Sequence, residues 1–133
     1  MASAVAVADG AQWVYFVPSK VKQRLRIVLT RRYGAKNLQY RMIALLVYVA
    51  LRPHLHNIGG VVIDQDYEGP LAESTIKNLF LHLVRRERPD VGREFVRFAN
   101  VKGGAADLLA KRVFDGKAKA THTVRYEEFE GLL

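Results

Sequence analysis

The chain has no cysteine in its 133 residues, which excludes disulfides, thiolate metal sites and cysteine nucleophiles. It also has no carboxylate from Gly10 to Ile63, a stretch that holds Lys20, Lys22, Arg24, Arg26, Arg31, Arg32, Lys36, Arg41 and Arg52. Cations without local acids favour anionic partners such as nucleic acid, acidic protein surfaces or anionic lipid. Long apolar runs are missing too. The longest, Met42–Leu51, is closed by Arg41 and Arg52 and falls well short of the ~20 residues that cross a bilayer. Met1–Gly10 lacks the basic and long apolar regions of a signal peptide, so the expectation is a soluble, cytoplasmic protein without a membrane partner. Gly59-Gly60 and Gly103-Gly104 match neither GxxxxGK[ST] nor GxGxxG, and no Ser-His-Asp set has a nucleophile elbow.

What is present reads as an ordinary globular protein: 50% hydrophobic and 26% charged residues, with a net charge of +8 and a pI near 10.0. The length fits one α/β domain over 1–133, with 1–11 as a loose segment. Trp13–Val17 is aromatic and β-branched and predicts a first strand, ended by Pro18. Ser19 is a candidate N-cap for a helix to Tyr33, whose Val21, Leu25, Val28 and Leu29 form one buried face, with Gly34 closing it. Asn37 is a candidate cap for a second helix to Leu51. That helix is apolar on all sides, as in a buried core helix or the seam of a homodimer. Val61-Val62-Ile63 has the continuous apolar character of a central strand. Pro70 opens a third helix with Ile76, Leu79, Phe80, Leu83 and Val84 on one stripe. Glu94–Val101 predicts a third strand and Ala105–Phe114 a further helix, while His122–Leu133 reads either as a strand or as a short helix. This alternation predicts an α/β sandwich: a short mixed or parallel sheet flanked by helices, with its second and third strands paired in parallel through a crossover.

The first acids after the basic stretch arrive together, as Asp64, Asp66 and Glu68 at the end of Val61-Val62-Ile63, followed by Glu73. In extended chain, residues spaced by two share one side, and carboxylates at the carboxyl end of an α/β strand occupy the usual ligand position. Mg²⁺ or Mn²⁺ takes hard oxygen ligands and needs few carboxylates, and such metals activate water for phosphodiester hydrolysis. Asp64 is the strongest candidate, then Asp66 and Glu68. Asp107 is a second candidate site, at the start of the helix after Gly103-Gly104. The competing account is structural: acids end a strand, Glu73 and Asp107 favour helix N-termini, and Asp107 can pair with Lys111. His54, His56, His82 and His122 have no metal-ligand spacing and read as surface residues. Two basic groups stand out as phosphate contacts. Lys20, Arg24 and Arg31 lie on one side of the first helix's apolar face, with Lys22 and Arg26 on the other; Arg85, Arg86 and Arg88 follow the third helix.

Val61-Val62-Ile63-Asp64-x-Asp66 with its following helix, then Phe95-Val96-Arg97-Phe98 and Gly104-Ala105-Ala106-Asp107-Leu108-Leu109-Ala110, resemble the later half of ribonuclease H-like proteins. The resemblance implies a two-metal nuclease with Asp64 and Asp107 as catalytic metal ligands and Asp66 as an auxiliary ligand to Mg²⁺ or Mn²⁺. It covers about half of the chain. The sequence departs from the superfamily in its first strand, which normally carries a metal-binding Asp, whereas Trp13–Val17 has no acid. The implied function is therefore a small basic metal-dependent nuclease. The alternative is a non-catalytic nucleic-acid-binding or assembly protein that uses the same basic surface, and a third reading is a basic protein with a protein partner.

Overall fold

Each of the four prolines falls at an element's start or between elements, in a computed structural model that describes residues 3–9, 11–64, 70–99 and 122–133. For 3–9, 11–15, Asp64, Pro70 and Ala99 it describes the backbone. The architecture is mixed α/β, as the alternation of elements predicts. Length suggests one domain. Contacts group the chain into two compact units, residues 1–38 with 103–133, and residues 39–102.

In the first unit, β1 (Ser3–Asp9) and β2 (Ala11–Val17) pair antiparallel, from Ser3 opposite Val17 to Asp9 opposite Ala11. This corrects the reading of 1–11 as a loose segment. Three alanines in Ser3–Asp9 lower β-propensity, and an Ala/Val alternation carries no polar–apolar contrast, so the strand is defined by its partner. β5 (His122–Thr123) adds to β2 in parallel, Tyr15 opposite His122 and Phe16 opposite Thr123. The Val124 N–H continues that pairing by donating to the Phe16 carbonyl at 2.7 Å. A 3₁₀ turn, Tyr126–Phe129, follows. The last segment is thus a strand and then a short helix.

α1 spans Ser19–Tyr33, the bounds predicted. Ser19 lies inside the helix, and Pro18, which makes no side-chain cap, precedes it. Leu25 and Leu29 are buried, and α1 contacts the 3₁₀ turn. The helix ends where the Gly34 N–H donates to the Thr30 carbonyl at 2.9 Å; Gly34 has φ 79°, a conformation that favours a residue without Cβ.

In the second unit, α2 (Leu38–Leu51) buries Met42, Ala44, Leu45, Leu46, Tyr48, Val49, Ala50 and Leu51. Burial within the chain accounts for its all-round apolarity, so that apolarity is no argument for a homodimer. Asn37, expected as its cap, adopts φ 59°, a left-handed conformation that asparagine tolerates and N-caps do not usually have. Pro53 turns the chain into a 3₁₀ segment, Arg52–Asn57. β3 (Val61–Asp64), α3 (Pro70–Val84) and β4 (Val96–Ala99) then form a β-α-β unit with β3 and β4 parallel, as predicted. β4 is shorter at its start than the strand read from sequence. Arg93–Phe95 is a 3₁₀ turn closed by the Phe95 N–H on the Gly92 carbonyl at 3.1 Å. Gly60 enters β3 so close to the Phe95 carbonyl that a Cβ would stand 3.3 Å from it. Val61, Ile63, Val96, Ile76 and Phe80 are buried. The predicted helix Ala105–Phe114 lies outside the described residues.

Candidate nucleic-acid interface

α1 turns its buried line, Leu25 and Leu29, to the core. At 3.6 residues per turn the opposite line runs through Ile27, with Lys20, Arg31 and Arg24 within about 60° on one side. Arg26 lies about 100° round on the other side, beyond Gln23 and Thr30. Lys20, Arg24, Arg26, Arg31 and Arg32 are all exposed, and Ile27 is 53% exposed. No acid lies on the helix. Among the described residues no carboxylate pairs with any of these five cations.

Partial burial, and then the neighbouring Arg26 charge, holds the Lys22 ammonium below its ordinary value. Arg24 has an aromatic neighbour that restrains it, with its guanidinium carbon 3.9 Å from the Tyr126 ring centroid. Both Glu128 carboxylate oxygens lie 2.9 Å from His122 Nε2, and one accepts the Arg125 N–H at 2.7 Å. This tie joins β5 to the 3₁₀ turn that carries Tyr126. His122, expected as a plain surface residue, is therefore a partnered one.

The Arg85, Arg86 and Arg88 group, in the other unit, is built differently. Arg88 Nη1 donates to the Leu55 carbonyl at 3.0 Å and to the Ile58 carbonyl at 2.7 Å, and its guanidinium lies 5.3 Å from the Phe95 ring centroid. Arg85 Nε donates to the Val91 carbonyl at 2.9 Å. Glu87 accepts from Tyr48 Oη at 3.2 Å and from Arg52 Nε at 3.1 Å, with His56 Nε2 3.9 Å away. Burial, and then the Glu87 charge, pushes the Tyr48 hydroxyl pKa up. Two of these three arginines thus fasten loops to helices. Arg86 is exposed.

Of the acidic candidates, Asp64 is the last residue of β3, opposite Ala99 at the carboxyl end of the parallel pair. Asp66, Glu68 and Asp107 lie outside the described residues. Glu73 sits in the first turn of α3. Among the described residues no group of three or more His, Cys, Asp or Glu side chains is placed to hold a metal. Nor is any described helix long and apolar enough to cross a membrane.

The sequence reading passed over two residues at this surface. Ile27 falls outside the buried stripe, and its mark is its place opposite Leu25 and Leu29. Tyr126 has no local signal, because its contact with Arg24 spans most of the chain. No family model, curated protein or solved structure matches this chain.

Proposed function

We propose that this protein binds the phosphate backbone of nucleic acid through the outer side of α1. The observation that carries the reading is the set of exposed cations Lys20, Arg24, Arg26 and Arg31, to which no described carboxylate is paired. Cations not neutralised by carboxylates release condensed counterions from nucleic acid when they bind its phosphates, and this drives sequence-independent affinity. The tested quantity is the salt slope of binding. The logarithm of affinity falls linearly with the logarithm of salt, and Arg24→Ala with Arg31→Ala lowers the slope by about 0.9 per lost contact on duplex DNA. A wild-type protein that fails to bind at low salt would falsify this reading.

The placement of Asp64 favours a second, additional reading. An aspartate at the carboxyl end of a parallel strand pair stands where open α/β sheets gather ligands. Asp64, with Asp66 two residues further along the sequence, would offer the hard oxygen donors that Mg²⁺ or Mn²⁺ prefers, which would make the protein a metal-dependent nuclease. Cleavage of labelled DNA and RNA with Mn²⁺, its loss with EDTA and its loss in Asp64→Asn test this reading. Salt-sensitive binding with no cleavage in any of these substrates leaves the non-catalytic function.

A further inference from the structure

We propose that the outer face of α1 enters the major groove of a B-form DNA duplex, with Ile27 as an apolar apex against base edges. The inference rests on the phosphate-binding reading above and names the substrate for the same surface. Isolated exposed apolar residues are common, but Ile27 has a specific place. It stands at the point of α1 furthest from Leu25 and Leu29, with Lys20, Arg24 and Arg31 on one flank and Arg26 on the other. A helix lying in a groove has phosphates along both walls and base edges beneath its apex; on α1 the outermost line holds Ile27 with Lys20 and Gln23 beside it, and Arg24 and Arg26 stand towards the two walls. Lys20 to Arg31 spans about 16 Å along the axis, roughly half a turn of duplex. The major groove of B-DNA, about 12 Å wide, admits an α-helix and offers thymine methyl groups for apolar contact.

The other anionic polymers fit this face less well. Duplex RNA has a deep, narrow major groove that excludes a helix. Single strands are held by stacking on aromatic side chains; at this face Tyr126 already carries the Arg24 guanidinium at 3.9 Å, and Tyr33, the aromatic of α1, sits about 120° away from Ile27. A membrane-surface helix buries a broad apolar face in lipid, whereas the apolar line of α1 is occupied by the fold and its exposed large apolar residues, Ile27 and Tyr33, stand about 120° apart. Arg24, stacked at 3.9 Å on Tyr126, is restrained beside that apex.

The test is fluorescence anisotropy with an A·T-rich DNA duplex, the same duplex with deoxyuridine for thymine, the matching RNA duplex, a single strand, and phosphatidylserine vesicles. The wild type is expected to prefer the thymine duplex. Ile27→Ala is expected to bind it about tenfold more weakly with an unchanged salt slope, and to lose the preference for thymine over deoxyuridine. Ile27→Met is expected to restore most of the affinity. The exposure of Ile27 keeps these variants folded, which a thermal midpoint checks. If Ile27→Ala binds like wild type while Arg24→Ala and Arg31→Ala weaken binding, the apex role is overturned and the phosphate reading stands. Tighter binding to RNA duplex, single strand or vesicles overturns the choice of duplex DNA. No binding to any nucleic acid removes both readings together.

Discussion

Two arginine-rich segments that look alike in sequence do different work in the fold. Along α1 the cations project from one helix, and no described carboxylate pairs with the five exposed ones. At Arg85–Arg88 the guanidinium groups of Arg85 and Arg88 reach carbonyls of Val91, Leu55 and Ile58, and Glu87 gathers Tyr48 and Arg52. The difference follows from local geometry. A cation on the outer line of a straight helix has few acceptors within reach. An arginine just past a helix C-terminus meets turning chain whose carbonyls lack partners, and its fork of donors fits several of them at once. Positive charge in a sequence therefore marks a binding surface only where the fold offers no acceptors.

The largest effect that would sharpen this contrast is on stability at Arg88. Arg88→Ala removes two charge-assisted hydrogen bonds and the contact over Phe95, and is expected to cost about 2–4 kcal/mol in urea unfolding. A cost under about 0.5 kcal/mol, the scale of an ordinary surface change, would break the comparison. Next comes the α1 pair, Arg24→Ala with Arg31→Ala. It is expected to lower the salt slope of DNA binding by nearly two, with a stability change limited to the Tyr126 stack, about 0.5–1 kcal/mol.

Tyr48→Phe is smaller, expected to cost about 1 kcal/mol through the lost Glu87 bond, and it carries a pH signature. Because the folded protein raises the Tyr48 pKa, the folded state binds more protons than the unfolded state above pH ~10. That stabilisation is complete below the unfolded pKa and is lost as pH rises through the folded one. Lys22, lowered in the folded state, runs the other way and stabilises as pH rises. The difference between wild type and Tyr48→Phe isolates the tyrosine: it shrinks at alkaline pH in equilibrium unfolding, and a constant difference would contradict the raised pKa. The smallest expected effect is Ile27→Ala on stability, within about 0.5 kcal/mol, read as a thermal midpoint. A large loss would mean that Ile27 belongs to the core and not to the surface.

Much of the fold is legible in the residues. The spacing of Leu25 and Leu29, with Pro18 before and Gly34 after, delimits α1, and Val61-Val62-Ile63 with the stripe of α3 and Val96-Arg97-Phe98 specifies the parallel pair. β1 was not legible, because an Ala/Val alternation becomes a strand only when β2 supplies the partner. Nor was the end of the chain, where two residues of β5 are defined by Tyr15 and Phe16. At the proposed interface, the basic side of α1 is legible from helical periodicity. The engagement of Arg85 and Arg88 was not, since their acceptors lie on turns whose course no local pattern specifies.

The sequence by itself determined where helices and the central strands form and that α1 carries uncompensated charge, because these follow from periodicity, proline placement and the absence of acids. Only tertiary structure decided which cations remain available, that α2 is buried within the chain, and that Tyr126 comes to rest beside Arg24. Each of those depends on contacts between residues far apart in the chain, and side-chain hydrogen bonds and burial are properties of such contacts.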